Sequence, residues 1–152
     1  MDKFYDDFEV GEKFISESAV ITDAEIVEFA RRYDPQPFHV DIEAAKASPY
    51  GGLIASGFHT LSFGFRLFID TGAITGCSMG SPGAEEIRWL EPVRPGDTLR
   101  TEAEVAAKRP SSSDAGRGVL TFSYAIINQR EETVASMRGI VLVHRKNKGG
   151  SA

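Results

Sequence analysis

The spacing of apolar residues changes character near the middle of the chain. In the first half it is helical. Ile26, Phe29, Ala30 and Tyr33 recur behind Thr22 and Glu25, the T-x-x-E order of a capping box, and predict a helix opening at Thr22. That helix should stop near Tyr33, because Pro35 and Pro37 cannot continue it and Pro35 turns Asp34 away from the α region. Residues 57–69 are apolar on nearly every side (Phe58, Leu61, Phe63, Phe65, Leu67, Phe68, Ile69), with Arg66 the sole full charge, and predict a helix buried all round. Ahead of the first helix, a loose alternation over residues 13–21 predicts a strand with Ile15, Ala19 and Ile21 on one side. Residues 34–56 are irregular, with a short helical patch expected at 42–47.

The second half has period two. Runs at 85–90, 98–107, 118–128 and 133–144 predict four antiparallel strands. Leu99, Thr101, Ala103 and Val105 share one face against Arg100, Glu102 and Glu104, while Leu120, Phe122, Tyr124 and Ile126 line another. Pro95-Gly96-Asp97, residues 111–116 and residues 129–132 supply turn chemistry between them. The order points to α+β, with the sheet wrapped around the apolar helix. A curved sheet covers one side of such a helix, so the open side and the sheet edges predict a homodimer or higher homo-oligomer.

Composition narrows the function classes. At 152 residues the chain has the length of one domain, taken as residues 1–144 followed by a polar tail, 145–152, that reads as frayed. A net charge of −5 disfavours nucleic acid as a partner. The single cysteine, Cys77, permits no intrachain disulfide or zinc cluster and suits a reducing compartment. The acidic start has no apolar core of a signal, and no run approaches the roughly 20 apolar residues of a membrane span. A soluble, cytoplasmic protein is expected.

Two clusters carry candidate chemistry. In Tyr33-Asp34-Pro35-Gln36-Pro37-Phe38-His39 an acid and an imidazole lie five apart with prolines stiffening the backbone between them. Such a pair can hold and activate a water. On spacing alone the simpler reading is a loop carboxylate and a packed imidazole. Asp34 falls at a helix C-terminus, where the macrodipole disfavours a carboxylate, so a slightly raised pKa is expected. Gly51-Gly52-Leu53-Ile54-Ala55-Ser56-Gly57 runs into the apolar helix, whose first N–H groups can stabilise an anion such as an enolate oxygen. The same stretch also reads as an ordinary glycine-rich turn, and it lacks the Lys-Ser/Thr of a phosphate-binding loop.

Asp34-Pro35-Gln36-Pro37-Phe38-His39 resembles the D-x-N-P-x-H motif of MaoC-like dehydratases, the (R)-specific enoyl-CoA hydratases of the hot-dog superfamily. The resemblance continues through residues 51–57 and into Pro92-Val93-Arg94-Pro95-Gly96-Asp97-Thr98. It implies a hot-dog fold that pairs into dimers, an acyl-CoA or acyl-carrier thioester as substrate, and no metal or redox cofactor. It matches Asp34 and His39 to the catalytic pair and Gly57 to the oxyanion glycine. Gln36, Phe38, Gly52 and Ser56 become the expected substrate contacts. This sequence departs from the pattern in Gln36 for Asn, in Pro35 after the aspartate, and in Ser56 where many hydratases have His. These departures bear on substrate choice more than on reaction type.

The remaining candidates have plainer readings. His59 is expected as a satisfied core or interface imidazole, Arg66 as one half of an ion pair across the core or interface, and Trp89 as packing. Arg88, Arg94 and Arg145-Lys146-Asn147-Lys148 are available to coenzyme A phosphates, although exposed basic residues are more often simply solvated. Cys77 has no neighbouring base and is not expected to act as a nucleophile. The function expected is hydration or dehydration of a 2-enoyl thioester. The alternatives are a hot-dog acyl-CoA thioesterase, in which the acid directs water at the thioester carbonyl, and a non-catalytic acyl-thioester-binding subunit.

Overall fold

A computed structural model describes residues 2–146. Four long strands, β3 (Gly83–Trp89), β4 (Thr98–Pro110), β5 (Arg117–Ile127) and β6 (Thr133–His144), form an antiparallel sheet in the order β4-β5-β6-β3. Two short strands, β1 (Lys13–Ile15) and β2 (Ala19–Val20), add to β4. The helices are α1 (Asp23–Tyr33), α2 (Pro37–Val40), α3 (Ile42–Lys46) and α4 (Gly57–Ile69). Among the described residues no helix is long and apolar enough to cross a membrane.

The period-two faces bury as expected: Leu99, Thr101, Ala103 and Val105 on β4, and Leu120, Phe122, Tyr124 and Ile126 on β5. The sheet curls around α4. Phe68 of α4 meets Phe122 with ring centroids 5.1 Å apart, and Phe8 closes the same cluster edge-on to Phe122 at 6.2 Å. A second cluster joins Leu67 of α4 to Ile26 of α1 and to Leu99, Ile126 and Val134 of the sheet. The closest approach is at Gly64, whose carbonyl accepts a 2.7 Å hydrogen bond from the Thr101 hydroxyl. A Cβ there would overlap Ile126 Cδ1 and stand 2.6 Å from its Cγ1. Helix α4 can touch the sheet this closely only because it carries no side chain at that point.

Three expectations need correction. The strand over 13–21 is two strands, because the Ser16 hydroxyl accepts the Thr101 N–H at 2.8 Å where a backbone carbonyl would otherwise sit. The kink reverses the first segment, so Phe14 packs on the core and Ile15, expected inside, is 61% exposed. Helix α4 is not buried all round. Phe58 and Phe65 face outward, since the sheet and α1 cover only part of it, and Arg66 pairs with Asp70 one turn on at 2.9 Å rather than across the core. The start of the tail is tied down. Arg145 pairs with Asp6 at 3.0 Å and Lys146 with Asp7 at 3.2 Å, beside a 3-10 turn (Tyr5–Asp7) held by Lys108 Nζ on the Phe8 carbonyl at 2.7 Å. Asn147 and Lys148 lie outside the described residues.

Candidate active site

The capping box at the start of α1 forms, with the Thr22 hydroxyl accepting the Glu25 N–H at 3.1 Å. Helix α1 ends where the prolines require, and Asp34 is its C-cap, leaving the helical region at φ −158°. Three residues on, Pro37 opens α2 at its first position, where a missing N–H is harmless and the fixed φ suits a helix. This one-turn helix was not foreseen within the irregular 34–56 segment. It carries Phe38 and His39 back over the 53–55 stretch. Phe38 accepts the Ile54 N–H at 3.1 Å, and Ala55 donates to Val93 at 2.8 Å.

These turns bring the pair together. His39 is 4% exposed, its Nδ1 lies 2.7 Å from the Ile54 carbonyl, and its Nε2 stands 3.3 Å from Asp34 Oδ2. A carbonyl only accepts, so Nδ1 carries a proton and Nε2 is turned toward the carboxylate. Asp34 has two hydrogen-bond donors: Gln36 Nε2 reaches Oδ1 at 2.6 Å, and the Ser56 hydroxyl reaches Oδ2 at 2.7 Å. Burial alone would raise the Asp34 pKa. The hydrogen bonds from Gln36 and Ser56, with His39 nearby, outweigh it and hold the pKa below the usual carboxylate value. The slight rise expected from the end of α1 is therefore overturned, because two close hydrogen-bond donors and the neighbouring imidazole outweigh a dipole.

Ser56 occupies the N-cap position of α4 and is fully buried, yet its hydroxyl makes no cap. It turns to Asp34 instead. Among the described residues no acceptor meets the Gly57 N–H, which stays open at the head of the helix. Asp34, His39 and Gly57 line one cavity of about 520 Å³.

Of the four expected substrate contacts, Gln36 and Phe38 line this cavity, whereas Ser56 stands behind Asp34 and Gly52 lies beside Arg94. Trp89, expected as packing, is 48% exposed and lines the cavity against Phe58 at 5.3 Å. The signal available in the sequence was its place just ahead of the family-like segment 92–98. The Arg94 guanidinium donates to the Tyr50 carbonyl at 2.7 Å, on the cavity rim. His59 is buried and stacked on Phe29 at 4.6 Å, but its Nδ1 has no partner, so it is not the satisfied imidazole expected. Burial lowers its pKa. Cys77 is buried in the core, and burial, aided by Asp2 and Asp7, pushes its pKa to about 11, which leaves the thiol unreactive.

The MaoC-like domain family matches residues 7–121. The chain belongs to that family. A MaoC-like dehydratase from Rhodospirillum rubrum has a structure of TM-score 0.88 at 39% identity, covering 95% of this chain and 99% of that one. The uncharacterised protein YdeM of Bacillus subtilis is 34% identical over 92% of this chain and 98% of its own length. The 3-hydroxybutyryl-CoA dehydratase of Methylorubrum extorquens is 31% identical over 70% of this chain and 66% of that protein. As a MaoC-like domain, the sheet curled around α4 is a hot dog, the fold the resemblance implied.

Proposed function

We propose that this MaoC-like chain is a hydratase/dehydratase that adds or removes water at the double bond of a 2-enoyl-CoA. The observation that carries the reading is an Asp34 carboxylate held by Ser56 and Gln36, facing His39 in the cavity that the uncapped Gly57 N–H also reaches. A low-pKa carboxylate is ionised at neutral pH and ready to accept a proton.

In the hydration direction, a water in the cavity is held by both Asp34 and His39. Its oxygen bonds to the β-carbon while one of its protons passes to the Asp34 carboxylate. The π electrons move onto the thioester oxygen as an enolate, which accepts from the Gly57 N–H. The proton held by the pair then goes to the α-carbon and the thioester carbonyl reforms. One water is consumed and both carboxylate and imidazole are restored. Every charge is met by a named group, so the reaction as written calls for no metal or redox cofactor. The relative named a 3-hydroxybutyryl-CoA dehydratase supports acyl-CoA as the substrate class. The proposal also takes the working unit to be a homodimer through β3, and the compartment to be the cytoplasm, which suits a lone buried thiol.

The test is a panel of trans-2-enoyl-CoAs, with loss of the conjugated double bond and release of free thiol measured separately. Double-bond loss without thiol is expected. Asp34→Asn and His39→Ala should each lower kcat by about 10²–10⁴-fold while circular dichroism stays unchanged. Thiol release without hydration would make the protein a thioesterase. Neither reaction, with ligand binding intact in Asp34→Asn, would make it a binding subunit.

A further inference from the structure

The Gly57 amide is a single donor, and an enolate oxygen can accept more than one hydrogen bond. Beside it stands an N–H that the reaction above does not use. A Cβ built on Gly57 would overlap the pyrrole ring of Trp89, meeting Cδ1 at 2.8 Å, with Nε1 and Cε2 closer still. The glycine therefore does more than free the helix head, because its missing side chain is the space the indole occupies. That built position is two bonds of about 1.5 Å from the Gly57 nitrogen, so indole Nε1 lies within about 5 Å of the amide. Two donors at that separation can both reach one oxygen placed about 2.9 Å from each.

Two other observations bear on the indole. Trp89 lines the same cavity as Asp34, His39 and Gly57. Among the described residues nothing accepts a hydrogen bond from its Nε1. An indole nitrogen is a donor only, and half-buried tryptophans generally present it to a partner. The ring also packs on Phe58, edge to face at 5.3 Å, and its backbone is placed by the pairing of β3 with β6 at Ala135. These contacts set the indole beside Gly57 in the absence of ligand, which favours an oxyanion donor acting with little reorganisation.

We propose that Trp89 is a catalytic residue whose indole N–H, together with the Gly57 amide, forms a two-donor site for the thioester oxygen. The inference rests on the hydratase reading of the same cavity. It is strongest for an oxygen that gains charge, so Trp89 acts more on the enolate than on the bound thioester, and kcat carries more of the effect than KM.

The experiment uses two variants and two readouts. Trp89→Phe keeps an aromatic ring and removes the N–H, and Trp89→His restores a ring N–H. With crotonyl-CoA, Trp89→Phe should lower kcat by about 10²-fold with KM within threefold, and Trp89→His should recover part of the loss. The second readout needs no turnover. Infrared difference spectra of bound butyryl-CoA, which has no double bond to hydrate, should show the thioester carbonyl stretch at lower frequency than in water. The displacement should be smaller in Trp89→Phe and partly recovered in Trp89→His. Trp89 is the only tryptophan, so its fluorescence confirms occupancy in the wild type directly. An equal carbonyl displacement in wild type and Trp89→Phe, or a wild type that does not bind butyryl-CoA, overturns the inference. A Trp89-dependent displacement in a wild type that hydrates no enoyl-CoA would uphold the donor role and sink the hydratase reading.

Discussion

Asp34 shows how local chemistry decides the state of one side chain. Its folded pKa is held down by donors, so it stays ionised to lower pH than a free aspartate would. Removing the Ser56 hydroxyl withdraws a 2.7 Å bond from Oδ2 and must move that pKa upward. Ser56→Ala is therefore expected to shift the acid limb of the kcat/KM profile to higher pH, measured from the lowest pH at which the fold persists up to neutrality. An unmoved limb would show that another group controls it. Because this serine makes no cap bond, the variant should escape the usual loss of about 1 kcal/mol for truncating an N-cap. Asp34 and His39 stood out in the sequence through the resemblance of residues 34–39 to a family motif, since spacing alone favoured a loop carboxylate and a packed imidazole. Ser56 was legible as a site residue, but its task was not, since it reaches Asp34 across 22 positions of chain. Trp89 stayed hidden for the same reason: what it touches depends on where β3 delivers it relative to α4.

Elements divide by whether their pattern is local. The β4, β5 and β6 runs alternate cleanly, and their pairing by short turns follows from sequence alone. The capping box and the apolar run that set α1 and α4 are local too. Strands β1 and β2 were not separable, because the Ser16 hydroxyl that divides them finds its partner on β4. Helix α2 was missed because one turn has no periodicity to detect. The contact between α4 and the sheet carries its own prediction. Gly64→Ala should lower stability by about 1–3 kcal/mol, as a reduced denaturation midpoint at unchanged m value, because the new methyl meets Ile126 and Thr101 Oγ1. A midpoint equal to wild type would mean that Ile126 turns aside without strain.

At the scale of the molecule, β3 is the exposed feature. All seven of its residues are exposed, it lies at the sheet edge, and Ile87, Trp89 and Leu90 add apolar surface there. A free edge of that kind is a template for pairing with another strand. Sedimentation equilibrium at micromolar concentration is expected to give twice the 16.6 kDa chain mass. A mass of one chain would refute the homodimer. The sequence pointed to this from the all-round apolarity of α4, and the fold places part of that surface, Phe58 with Trp89, at the end of β3. Which edge was open could not be seen without the strand order.

That order also bears on how the molecule comes into being. Strand β1 must wait for β4, some 90 positions later, and the head of α4 waits for Trp89. At about 5–20 residues per second, the segment bearing Asp34 and His39 leaves the ribosome several seconds before the last of the sheet that will support it. In that interval α4 has no sheet to cover its apolar face, and the chain is most exposed to aggregation and most open to a chaperone. The half of the sequence that carries Asp34, His39 and Gly57 is made first and waits for the second half to give it shape.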